Sequence, residues 1–484
     1  MGGYSQNKRV IYIIMVGAIL FYLPFISRQF MGDDWLWLAN AKMASSHPSI
    51  FLERPMYGYF RPLNMIIVFD ILKLFGPNPY VFSMINILLH ACNIWLLWVL
   101  LGRFGLTLNE RNLSALIFGI YTLNAPAIEW ISVGHDLWVT GLSLLFAIFV
   151  LRFMEKPRFS LFIFCWLIGF SALLIKESGF VTLGIYFLLF ILKGKSPFRK
   201  EFVIYSLLLS TTYLLYLCGY FITRTVADRE VALGYETILN IWYFLSYLVS
   251  PVSRRIATGF PESYLWILKT IKITAAIAVP ILLVYIFVKG RSGHRFFILL
   301  SIMFISTIAI TKWNLAPFDL YPERTVGRFM YSVTPGFAVA LAWFIENHIA
   351  MRIMRRGYFR YAMVILYIIS NFLITYRISQ LYFYRQRLVS SIIQSLEILN
   401  PALARCQSVV VLTGNMEKTP QIISSGDHLH GMIYVLLDKD ITVSVKEYGN
   451  YISNQLIEKN DLLTLEWDTA NQNFVLPAVN ENER

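Results

Sequence analysis

Charge is what this sequence has least of. Only 15% of its 484 residues are Asp, Glu, Lys or Arg, against roughly 25% in a soluble domain, so most of the chain has no water-facing surface to decorate. The regular alternation over about ten positions that marks a transmembrane strand is also missing. Cysteine is scarce. Cys92, Cys165, Cys218 and Cys406 have no metal-binding spacing and three of them lie inside apolar runs, which argues against a disulfide framework. No internal repeat or low-complexity tract is present, and that speaks against an inverted-repeat transporter.

What is abundant is apolar. The chain is 57% hydrophobic and 16% aromatic, with a mean hydropathy of +0.58. Apolar runs of about 17–25 residues are what a helix needs to cross a hydrocarbon core of about 30 Å. About eleven spans are expected, near 10–27, 79–101, 113–131, 137–151, 159–174, 178–192, 202–222, 266–288, 296–311, 329–347 and 361–379. The first follows Lys8 and Arg9 but lacks a small-residue cleavage site, so it reads as an uncleaved span.

The net charge of +13 would suggest nucleic acid in a soluble protein. Here the basic residues sit between apolar runs, so orientation and anionic membrane lipids explain them, and no nucleic-acid partner is expected. The loops at 1–9, 102–112, 152–158, 193–201, 289–295 and 348–360 carry eighteen Lys and Arg, against thirteen in the opposite set, which is about twice as long. The positive-inside rule places the first set and the N-terminus in the cytoplasm. An odd number of spans then puts the C-terminus outside.

Two outer segments exceed what connection requires. The stretch "RPLNMIIVFDILKLFG" repeats its apolar residues at helical spacing, as a helix lying along the membrane surface would. Residues 238–251 are too short to span and read as a half-buried outer helix. Composition changes after residue 382. A transmembrane domain over 1–382 is expected to give way, over 383–484, to an amphipathic helix and a small αβ domain. Its strands would come from "SVVVLTGN", "MIYVLLD" and "ITVSVKEYG".

Polar residues at the outer span ends could carry chemistry. Asp33 and Asp34 directly follow the first span. One could accept a proton from an attacking hydroxyl, or both could hold a divalent cation, but Asp also caps helices and turns. His135 and Asp136 sit at the mouth of the fourth span, where capping is again the plainer reading. Lys176 could bind a phosphate as a point charge, snorkel to headgroups or pair with Glu177. Arg61, Arg324 and Arg328 offer phosphate-binding forks or interfacial anchors. What unites them is a single face. Acids and cations gathered at one interface are what transfer from a lipid phosphate requires.

The ordered motifs "GDDW", "YFRPLN…NILLHACNIWLL", "GHDLW", "LLIKESGF" and "ERTVGRFMYSVTPGF" resemble those of the polytopic GT-C glycosyltransferases. The closest resemblance is to bacterial relatives of protein O-mannosyltransferases and of membrane mannosyltransferases with TPR repeats, over residues 10–350. It implies an α-helical polytopic membrane protein of the bacterial inner membrane with a GT-C-like bundle; the small C-terminal αβ extracytoplasmic domain lies beyond the resemblance and is expected from the residues alone. The resemblance further implies inverting transfer of a sugar from a polyprenyl-phosphate donor to a glycan, lipid or protein acceptor outside the cytoplasm. On this resemblance Asp33 is the base, Asp34 its neighbour, and Asp136 the acid of the second outer loop with His135 beside it. Arg61, Lys176, Arg324 and Arg328 would meet the donor phosphate, with Glu177 and Tyr331 in support. A divalent metal could sit at Asp33, Asp34 and Asp136. The chain departs from many relatives in having "DDW" for Asp-Glu, and "GHD" where a basic residue adjoins the acid. Two other readings are a transporter or flippase of lipid-linked glycans and an O-antigen ligase or polymerase. The first predicts ionisable residues deep in the spans; most spans have none, the clearest exceptions being Lys269 and Lys272 near the start of the eighth, and that scarcity counts against it.

Overall fold

A computed structural model describes residues 3–52, 60–197, 199–200, 202–223, 234–248, 265–309, 329–349, 357–413, 423, 426–447, 462–468 and 472–475. The architecture is a helical bundle carrying a small sheet at one end. In chain order the helices are α1 (Gly3–Tyr22), α2 (Asp33–Met43), α3 (Pro62–Phe75), α4 (Pro79–Arg103), α5 (Leu108–Ile120), α6 (Ala125–Glu129), α7 (His135–Glu155) and α8 (Phe159–Ile175). Then come α9 (Val181–Leu192), α10 (Val203–Thr223), α11 (Tyr235–Tyr247), α12 (Leu265–Lys289), α13 (Ser292–Ala309), α14 (Thr334–Phe344), α15 (Gly357–Leu403) and α16 (Gly426–Leu437).

Four helical stretches among the described residues are long and apolar enough to cross a membrane: Pro79–Arg103, Ile131–Glu155, Ser292–Ala309 and Val364–Leu403. Five shorter apolar helices, Arg9–Phe25, Phe159–Ile175, Glu177–Leu192, Val203–Cys218 and Ile273–Lys289, lie at five more of the positions where spans are expected. Their outward faces are apolar. Ile277, Ile281, Leu366 and Leu373 are each more than half exposed, which suits hydrocarbon and not water.

One expected span is interrupted. The run at 113–131 is helical only to Ile120, after which Tyr121 turns extended and the chain re-enters through a 3-10 turn and the short α6. The backbone and side chains of that break find partners inside the bundle. Asn371 accepts from the Thr122 amide, Thr334 donates to Asn124, and Ser379 donates to Glu129 at 2.6 Å. The run at 329–347 is helical from Tyr331 to Ile349, though it changes winding, from a 3-10 turn (Tyr331–Val333) through α14 to a π turn (Ile345–Ile349). Hydropathy reports transfer to lipid and not helical continuity, so neither the break after Ile120 nor the changes of winding around α14 are visible in it.

The core of the bundle is built on α4 and α7, which pack on each other and on α1, α5, α8 and α9. A polar seam on α4 locks this packing: Asn86, His90 and Asn93 recur at spacings of four and three and so share one face. Tyr331 donates to Nδ1 of His90 at 2.7 Å and accepts from Asn93 at 3.1 Å, while Nε2 of His90 donates to the carbonyl of Gly119. Such bonds have no water to compete with them in a bundle core.

The last expected span and the amphipathic helix expected over 383–400 belong to one helix, α15, which runs unbroken for 47 residues across residue 382. No glycine or proline interrupts it before Pro401. At 1.5 Å per residue it is about 70 Å long, more than twice a bilayer core, so its second half extends beyond the bundle. There Leu388, Val389, Ile392, Leu396, Leu399 and Leu403 form a buried stripe at helical spacing. It covers a four-stranded sheet of order β2-β1-β3-β4, formed by β1 (Ser408–Thr413), β2 (Thr442–Glu447), β3 (Leu462–Asp468) and β4 (Asn473–Val475). The central β1 pairs in parallel with β2 and β3, and β4 is antiparallel to β3. The "MIYVLLD" segment, expected as a strand, lies instead in α16. Its β-branched residues yield to helical burial: Leu429, Met432 and Ile433 fall on one face and are fully buried.

Alternation of the loops is visible in the contacts. Arg103 pairs with Glu155, Lys195 donates to the carbonyl of Met154, and Arg291 donates to that of Gly105, so four of the basic loops, at 102–112, 152–158, 193–201 and 289–295, meet at one end. The acid-bearing loops meet at the other.

Candidate functional site

Asp33 and Asp34 begin α2 because Gly32 precedes them with φ +48°, a left-handed turn that redirects the chain after the first helix. Asp34 is 1% exposed and points inward. Its carboxylate accepts from the Met31 amide at 2.9 Å and the Ser132 amide at 2.6 Å, tying α2 to the turn before α7. Burial pushes its pKa up to about 7; the two amides oppose the shift and the Asp33 charge adds to it. Asp33 is more open, its side chain 28% exposed, and Oδ1 lies 3.1 Å from Nε2 of His428 on α16. Sequence reasoning missed His428. It lies 395 positions away in a segment that matched no motif, and only the tertiary fold brings it near.

His135 and Asp136 open α7, both under 10% exposed. Nε2 of His135 is 3.7 Å from Asp136, too long for a hydrogen bond. The firm partner of Asp136 is Lys176, whose ammonium donates at 2.6 Å. Lys176 comes from the break between α8 and the 3-10 turn Glu177–Phe180, where its extended backbone (φ −160°, ψ 147°) turns it in towards α7. Burial draws its pKa down; Asp136 opposes that and the nearby charge of Arg61 reinforces it. The Lys176 ammonium also sits 5.4 Å from the ring centroid of Phe329. Arg61, just before α3, grips Glu177 with two hydrogen bonds of 3.0 and 2.8 Å.

The structure therefore brings together Asp33, Asp34, His135, Asp136, Lys176, Arg61 and Glu177 at one end of the bundle. Tyr331 is set apart in the α4 seam, bonded to His90 and Asn93. Arg324 and Arg328 lie outside the described residues. The three carboxylates that could hold a metal do not converge. Asp34 is taken up by amides, Asp136 by Lys176, and Asp33 faces His428; among the described residues no group of three His, Cys, Asp or Glu side chains is placed to ligate an ion.

A cleft opens beside this array, lined by Asp34, Trp37, Asn64, Asn86, His135 and Trp138 among others. At about 30 Å³ it is narrow, room for a water molecule and not for a sugar ring. Its polar lining is chemically suited to water or a single hydroxyl.

No family model matches the chain, and no curated protein sequence does either. Among solved structures, the chain is similar to ArnT from Cupriavidus metallidurans bound to undecaprenyl phosphate, at 10% identity and a TM-score of 0.48, over 97% of this chain and 94% of that one. The apo state of the same ArnT gives 12% identity and a TM-score of 0.44, over 89% and 71%.

Proposed function

We propose that this protein is a membrane glycosyltransferase that moves a sugar from a polyprenyl-phosphate donor to an acceptor hydroxyl on the extracytoplasmic face, inverting the anomeric carbon. The observation that carries the reading is the concentration of buried, paired charges at one end of an apolar bundle, together with the motif resemblance in the same segments. Charges of both signs this deep are costly and persist where they are used.

In the proposed reaction Asp33 accepts the proton of the acceptor hydroxyl as its oxygen attacks the anomeric carbon, and the bond to the donor phosphate breaks. Asp33 suits this role better than Asp34, whose oxygens are held by the Met31 and Ser132 amides. Lys176 and Arg61 supply positive charge for the departing phosphate. Each is held by a carboxylate, Asp136 or Glu177, which keeps it oriented before the donor arrives. A phosphate would share or displace those partners.

The test is a donor assay on detergent-purified protein, with a panel of labelled polyprenyl-phosphate sugars and a crude acceptor extract. Wild type is expected to consume one donor. Asp33→Asn is expected to lower transfer by about 10²–10⁴-fold, the usual worth of a general base, with donor binding retained. Full activity in both Asp33→Asn and Asp34→Asn would remove the acid pair from the mechanism. Label crossing reconstituted vesicles without being consumed would favour a flippase.

A further inference from the structure

We infer that His428 is a positioning residue for Asp33, so that the C-terminal αβ unit completes the transfer site and is not an appended module. This rests on the reading of Asp33 as the base. The geometry is specific. His428 stands in the first turn of α16, is 1% exposed, and puts Nε2 3.1 Å from Oδ1 of Asp33. With that nitrogen as donor, the imidazole fixes the plane of the carboxylate, and the base is aimed before the acceptor arrives.

The docking that delivers His428 is extensive. One face of α2, with Trp35, Leu38 and Ala39, is buried in the same apolar core as β1, α16 and the outer half of α15. Its other face, with Trp37 and Ala41, packs on Met65 of α3. The α2 helix is thus held between the bundle and the C-terminal unit. Closest approach comes at Gly431, where a Cβ would stand 2.9 Å from the Trp35 carbonyl oxygen. At the far end of α16, Lys42 donates to the carbonyls of Tyr434 and Val435 and pairs with Asp438 at 2.7 Å. That contact satisfies the C-terminal carbonyls of α16 with a charge of the favourable sign. Glycine at the crossing and lysine at the end fix the helix in register, and that register sets His428 opposite Asp33.

Full-length protein in detergent tests this, with His428→Ala, His428→Gln and Asp33→Asn assayed on the labelled polyprenyl-phosphate sugar that wild type consumes. The Gln amide nitrogen stands near the position of Nε2 and restores a donor. His428→Ala is expected to lower kcat about 10–100-fold, as loss of an orienting partner does, with the donor KM within about twofold. His428→Gln is expected to recover most of that loss. Equal loss in both variants with a raised KM would make His428 a mere packing residue and overturn the inference, as would full kcat in both. In either case an inactive Asp33→Asn leaves the base assignment standing, whereas an active one removes that assignment.

Discussion

The two ends of the bundle treat charge in opposite ways. At the basic end Arg103 and Glu155 are 3.8 Å apart with side chains 36% and 62% exposed, and Lys195 and Arg291 donate to backbone carbonyls near the surface. At the other end Lys176 and Asp136 meet at 2.6 Å with side chains 11% and 4% exposed, and Arg61 holds Glu177 beside them. The basic residues of the first end are numerous and shallow, which is the pattern that the positive-inside rule counts. The buried ones are held in place by partners, and so is His294 in a deep contact of the basic end, 3.5 Å from Glu110 with side chains 1% and 7% exposed. Charge is thus abundant and mostly shallow at the basic end, and concentrated in deep neighbouring pairs at the other.

Removing one member of the deep pair should have the largest effect on folding. Lys176→Met leaves Asp136 buried without its cation, and a loss of about 3–5 kcal/mol is expected for breaking such a pair. The double variant Lys176→Met/Asp136→Leu should recover most of that stability, because neither charge then needs a partner, while transfer stays lost. Unfolding followed in detergent measures both. If the single variant falls by less than about 1 kcal/mol, the pair behaves like the surface pairs of the opposite end and the contrast collapses.

Asp34 sharpens the comparison through pH. Its carboxyl ionises near 7 when folded, against an ordinary value of 3.8. Between those values the unfolded chain has already released the proton that the folded chain retains. Raising the pH across that interval therefore destabilises the fold, by up to about 1.4 kcal/mol per pH unit, and the effect levels off above about 7. Asp34→Asn should flatten this slope, at a fixed cost of about 1–3 kcal/mol for the amide bond it cannot accept. Melting midpoints from pH 4 to 8 read both quantities. An unchanged slope in the variant would mean that another group carries the titration.

The same contrast explains what could be read from residues alone. Apolar length marks where spans lie, and α4, α7, α8 and α13 fall where it puts them. It does not register the extended turn at Tyr121, because the polar groups freed there are satisfied by Asn371 and Thr334, partners distant in sequence. Local pattern likewise could not tell that "MIYVLLD" would be helical, since its burial is decided by α2. The acid pair, Asp136, Lys176 and Arg61 were legible because each stands at the end of an apolar run. Their pairing was not, and neither was His428, since a polar residue in a soluble segment carries no mark of what it will face.

The smallest expected effect belongs to the basic end. Arg103→Gln should change stability by no more than about 0.5 kcal/mol, since an exposed pair gains little Coulomb energy in water and immobilises two long side chains. Transfer should not change at all, because the substitution lies at the end of the bundle opposite Asp33. The comparison breaks if this single variant costs more than about 1 kcal/mol or lowers kcat, for the charge would then be acting by position. Orientation should survive too: the signal is spread over eighteen Lys and Arg in six loops, so several must be removed together before topology responds. Cysteine labelling of the loop at 152–158 from either side of sealed vesicles distinguishes the two cases, with accessibility unchanged in Arg103→Gln and altered only when the neighbouring basic residues are removed as well.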